Sequence, residues 1–95
     1  MGKRKSYRDT STGAADQYIR SILDNKHESS IRSILVNIIK NDLTPRQNEI
    51  IMLYYFKGDS MAEIASKQGV SIQSVSAVIS RARNRIFRLM KYYFH

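Results

Sequence analysis

Arg81, Arg83, Arg85, Arg88 and Lys91 fall within eleven residues near the end of the chain, with no acid among them. Cations at that density bind polyanions by displacing condensed counterions, and nucleic acid is the commonest polyanion. Just upstream stand Gln73, Ser76, Ala77 and Ser80. A glutamine amide can pair bidentately with adenine, a serine hydroxyl can donate to a base edge or a phosphate, and an alanine methyl can touch a thymine methyl. The plainer alternative is a solvated polar face, with the arginines serving an acidic protein partner.

Other chemistry finds little support. His27 and His95 are too far apart in sequence to suggest a metal site, and the chain has no cysteine for a thiolate site or a disulfide. There is no nucleophile motif and no Gly-rich phosphate loop. The sequence therefore predicts no enzyme, no cofactor and no metal. Its longest apolar run, Ile50 to Phe56, is far too short to span a bilayer. Nor does an apolar stretch follow the charged start MGKRKSYRDTSTG. The expectation is a cytoplasmic protein with no membrane contact.

Net charge is +8 over 95 residues, and its placement matters more than its size. Residues 1–8 carry Lys3, Arg4, Lys5 and Arg8 and no acid, and residues 64–95 carry six cations and no acid. The segment between holds six basic and eight acidic side chains. Both ends are cationic, which suits a double-stranded DNA partner.

These side chains need helices to position them. Residues 1–13 lack apolar periodicity and read as a disordered basic arm. A first helix is expected from about Ala14 to Asp24, with Tyr18, Ile19, Ile22 and Leu23 on one face. A second is expected from about Ser29 to Asn41. Its Ile31, Ile34, Leu35, Ile38 and Ile39 form an apolar stripe that must be buried on the following helices or on a second copy in a homodimer.

Thr44, Pro45 and Gln47 then spell an N-cap, a first helical position and a capping-box partner, and Gly58 reads as the stop. Apolar positions of this third helix include Ile50, Ile51, Leu53, Tyr54 and Phe56, and the pair Tyr54–Tyr55 reads as core or interface. Ser60 and Glu63 spell a second capping box, with Gly69 closing a tight turn. The last helix opens at Ser71, with Val70 and Val75 placed as a hydrophobic staple. No proline or glycine interrupts it before Tyr93, so it can run for roughly 30 Å.

At 100° per residue, Val75, Val78, Ile79, Ala82, Ile86, Leu89, Met90 and Tyr93 share one side of that helix. Gln73, Ser76, Ala77, Ser80, Arg81, Asn84, Arg88 and Lys91 share the other, and Arg83 and Arg85 flank the two. The expected fold is all-α: one helical domain over residues 14–95, with N-terminal helices in 14–41 and a helix-turn-helix without a wing in 43–94. An inserted helix brings its first turns to the base edges and its later turns to the backbone. Ile72, Gln73, Ser76, Ala77 and Ser80 are thus the base-facing candidates. Ser71, Arg81, Arg83, Asn84, Arg85 and Arg88 are the phosphate candidates, with Lys3, Arg4, Lys5 and Arg8 as an arm on the backbone or in the minor groove.

The stretch from Leu43 to Ile86 resembles region 4 of bacterial sigma factors. The matching pieces are LTPRQ at 43–47, Ala62-Glu63-Ile64-Ala65, Gly69-Val70-Ser71, Val75 and Ser80-Arg81-Ala82-Arg83. The resemblance implies a helix-turn-helix that reads promoter −35 DNA and docks on the RNA polymerase β flap. LuxR-type regulator domains share LTPRQ and the turn but usually lack SRAR, and rank second. The family's base readers correspond to Ile72, Gln73, Ser76 and Ala77, of which Ile72 and Ala77 carry no hydrogen-bonding side chain. Ninety-five residues leave no room for the region 2 that melts promoters. The expectation is a stand-alone regulator or one part of a split factor. The rival is an interaction module held by polymerase or by a region 2-bearing partner.

Overall fold

The computed structural model describes residues 6–24 and 29–94. Five helices follow one another: α1 (Ser6–Asp24), α2 (Ser29–Asn41), α3 (Pro45–Ile51), α4 (Met61–Gln68) and α5 (Ile72–Phe94). A π-helical segment, Met52–Lys57, extends α3. No strand occurs among the described residues. The all-α expectation holds.

Local signals set most boundaries in the second half. Thr44 Oγ1 accepts from Gln47 N–H at 3.1 Å, while Gln47 Oε1 accepts from Thr44 N–H at 3.2 Å. Ser60 and Glu63 repeat the exchange at 3.0 and 2.7 Å. Each box satisfies two backbone donors that a helix start leaves orphaned, worth about 1 kcal/mol. Gly58 and Gly69 end their segments in the left-handed region, at φ 87° and 66°.

Two elements differ from the sequence reading. Helix α1 begins at Ser6 rather than near Ala14. Apolar periodicity marks the part of a helix that packs, and residues 6–13 carry no apolar face to reveal them. Residues 1–5 of the expected arm lie outside the described residues. The third helix does not stay α-helical to Gly58. Gly58 N–H donates to Leu53 O, five residues back, and the wider turn changes which side chains face inward. Tyr55 is buried, in keeping with its reading as core or interface, whereas Phe56, one of the apolar positions of the third helix, is 42% exposed.

One core joins all five helices. Ile19 from α1, Leu35 from α2, Ile50 from α3, Ile64 from α4 and Ile79 from α5 are fully buried. Each such side chain contributes roughly 1.5–3 kcal/mol. The α2 stripe is consumed here: Leu35, Ile38 and Ile39 are buried and Ile31 and Ile34 pack against them. The internal alternative for that stripe is the one observed. Leu43, Leu53 and Tyr54 close the edges of the same core.

Candidate nucleic-acid interface

Helix α5 turns a long side to solvent. Ser71 caps it: Ser74 N–H donates to Ser71 Oγ at 3.0 Å. Ile72 is 49% exposed, and Gln73 beside it is exposed. Ser76, Ala77 and Ser80 are half-buried, and Arg81, Asn84, Arg88 and Lys91 are exposed. The face therefore runs from amide and small groups to cations along the helix, as the helical wheel predicted. Val75, Ile79, Ala82 and Ile86 hold the opposite side in the core.

Two expected phosphate contacts are already occupied. Arg83 is 3% exposed. Its Nη1 donates to the Tyr55 hydroxyl at 3.0 Å and stands 3.8 Å from Asp16 Oδ1. That placement removes it from the outer surface and corrects its assignment as a phosphate contact. Its wheel position was on the flank, and Tyr55 and α1 close over that flank. Arg85 Nε donates to the Asp42 carbonyl at 2.6 Å, so it stays exposed but ties α5 to the end of α2.

The Arg83 site is a compact electrostatic cluster. Arg20 Nε donates to Asp16 Oδ2 at 2.9 Å, and its guanidinium carbon lies 5.1 Å from both the Tyr54 and Tyr55 ring centroids. The two rings meet edge to face at 4.9 Å. Asp16 Oδ1 is buried without a hydrogen bond, which leaves Arg83 as its compensation. The hydrogen bond that Arg20 donates to Asp16 raises the Arg20 pKa above its ordinary value. Burial pushes the Tyr55 phenol far up, with Arg83 pulling the other way. The two shifts favour a charged Arg20 and a neutral Tyr55. Tyr18 adds an aromatic contact from α1 to Phe87 at 5.7 Å.

The structure adds Arg46 to the face. Thr44, Arg46, Gln47, Val78 and Arg81 line a shallow cleft of about 170 Å³. Arg46 Nη1 donates to Gln68 Oε1 at 3.2 Å, which ties α3 to the end of α4. Sequence reading passed over it as part of a capping motif, although its cation beside LTP was visible. A larger open groove, about 520 Å³, lies on the α3–π segment and is lined by Asn48, Glu49, Met52, Leu53, Phe56 and Lys57. Lys3, Arg4 and Lys5 lie outside the described residues. Arg8 lies in α1, with its side chain outside the described part.

No group of three or more acidic, histidine or cysteine side chains that would suit a metal occurs among the described residues. No described helix is long and apolar enough to cross a membrane.

A capped scaffold helix, a capped short helix, a glycine turn and a long helix presenting polar and cationic groups define a helix-turn-helix protein. Residues 40–86 match the family model described as sigma-70, region 4, and this part of the chain is a sigma region 4-like domain. The domain type is a DNA-binding fold of transcription. A UPF0122 protein of Symbiobacterium thermophilum is 50% identical over 40 residues, covering 42% of this chain and 37% of the relative. The chain thus matches little more than a third of that relative's length. No solved structure gives a significant match.

Proposed function

We propose that the chain binds double-stranded DNA by laying the first turns of α5 in the major groove. Ile72, Gln73, Ser76, Ala77 and Ser80 then face the bases, while Arg81, Asn84 and Arg88 meet the flanking phosphates. Arg46, across the cleft from Arg81, holds the same strand from α3, and the Ser71 end of α5 adds a contact to the backbone. The arm residues Lys3, Arg4, Lys5 and Arg8 follow the backbone or the minor groove. The observation that carries this reading is the solvent-facing side of α5, polar then cationic, on a sigma region 4-like domain.

The test is a fluorescence-anisotropy titration of two labelled duplexes, one with a −35-like element and one scrambled, over a salt series. Binding with a steep salt slope is expected, and a gap between the duplexes measures base readout. No binding to either duplex near physiological salt would overturn the reading.

One observation favours a second reading, an interaction module held by RNA polymerase or a region 2-bearing partner. The groove at Leu53 exposes Met52 at 38% and Phe56 at 42%, an apolar surface typical of helix docking. Capture of core polymerase by the chain, lost in Phe56→Ser while DNA binding persists, would support it. No capture by either protein would discard it.

A further inference from the structure

Guanine-reading chemistry is missing from the part of α5 that enters the groove. Arginine or lysine paired with guanine O6 and N7 is the commonest specific major-groove contact. Along α5 the first cation is Arg81, nine positions beyond Ile72 and roughly 13 Å further up the helix axis. Arg81 faces the cleft shared with Thr44 and Arg46. Arg83 is buried on Tyr55 and Asp16, and Arg85 is held by the Asp42 carbonyl. None of these reaches the bases under the first two turns.

Those turns offer something different. Ile72 leaves half of a branched apolar side chain in solvent. Gln73 is exposed next to it, and Ala77, one turn on from Gln73, is half-buried. In the major groove thymine alone among the four bases presents a methyl group, and adenine alone presents the N6 donor and N7 acceptor that fit one amide. The cationic turns beyond Ser80 supply the attraction that keeps a duplex against this apolar tip.

The geometry points to a reader of A·T base pairs that senses the thymine 5-methyl group through Ile72 and Ala77, with Gln73 on adenine. This rests on the DNA-binding reading above and specifies its target. Removal of the methyl is therefore the informative perturbation, because it leaves base pairing and phosphate charge in place.

The experiment titrates the full chain onto three labelled duplexes of about 21 base pairs, two helical turns. One alternates A and T, the second has uracil in place of thymine, and the third alternates G and C. The thymine duplex should bind roughly fourfold more tightly than the uracil duplex for one buried methyl. The G·C duplex should bind more weakly than both. Ile72→Ala should shrink the thymine–uracil gap without changing the salt slope, since no charge is removed. A gap undiminished in Ile72→Ala overturns the assignment to Ile72. Equal binding of the thymine and uracil duplexes, or tightest binding to G·C, overturns methyl reading and leaves DNA binding standing. Failure to bind any of the three removes both readings together.

Discussion

The inner and outer faces of α5 put the same residue type to opposite uses. Arg81 and Arg83 are two positions apart, one exposed and the other 3% exposed. Two residues on a helix are about 200° apart, so neighbours in sequence look in nearly opposite directions. The outer arginine keeps its hydration and stays available to a phosphate. The inner one has given up water for a phenol oxygen and a carboxylate. A dense basic run is therefore not a uniform binding surface. Moving around α5 from inside to outside, the cost of truncation should shift from stability to DNA affinity.

The largest effect is expected at Asp16, which compensates Arg83 from α1. Asp16→Ala leaves a buried cation with only the Tyr55 oxygen, and should destabilise by about 3 kcal/mol. In a chain of this size that lowers Tm by roughly 10 °C or more. Combining Asp16→Ala with Arg83→Met removes the stranded charge and should recover much of the loss. Thermal melts of the single and double variants check this. A double variant no more stable than Asp16→Ala alone would mean that packing, not charge, holds α1 on α5.

Next comes Tyr55, the other partner of Arg83. Tyr55→Phe removes a buried acceptor from a charged donor and should cost about 2 kcal/mol at neutral pH. The sign of the pH effect follows from burial, which raises the folded phenol's pKa above its unfolded value. The phenol's contribution is whole below about pH 10, where the unfolded phenol ionises. It is lost as pH climbs through the higher folded value. The wild type should therefore lose stability above about pH 10 more steeply than Tyr55→Phe. Denaturant melts at neutral and alkaline pH measure both slopes, and parallel slopes would contradict the buried phenol.

Arg85 sits between the extremes. Arg85→Ala removes an exposed hydrogen bond to the Asp42 carbonyl and should cost about 0.5–1 kcal/mol. Its effect on the salt slope of DNA binding should be smaller than that of Arg81. An Arg85→Ala chain with unchanged stability and a slope reduced by about one would return Arg85 to the phosphate-contacting set.

This gradient also explains what was legible in the sequence. Both capping boxes, the two left-handed glycines and the start of α5 were readable because each depends on residues within three or four positions of one another. The outward side of α5 was readable because a regular 3.6-residue period carries it. Arg83 was not, because Tyr55 and Asp16 reach it from elements far away in sequence. The wheel could only place it on a flank. Nor does any sequence period announce the π-helical turn after Ile51, which leaves Phe56 at the surface while Tyr55 is buried. Arg46 was overlooked for a different reason: its motif explained the helix start, and its place beside Arg81 appears only when α3 crosses α5.

Arg81 should be the mildest case for stability and the clearest for binding. Its side chain is exposed, and Arg81→Ala should change stability by no more than about 0.5 kcal/mol. DNA affinity should nevertheless fall on every sequence, because a phosphate contact carries no base information. The slope of log affinity against log salt should shallow by about one. Arg46→Ala should act in the same direction, and the double variant should shallow the slope by about two if each arginine meets its own phosphate. A slope change of only one in the double variant would mean that the cleft between them holds a single phosphate. No change in any of the three would move the DNA surface off this side of α5 and make the inner and outer arginines alike in having no role at a nucleic acid.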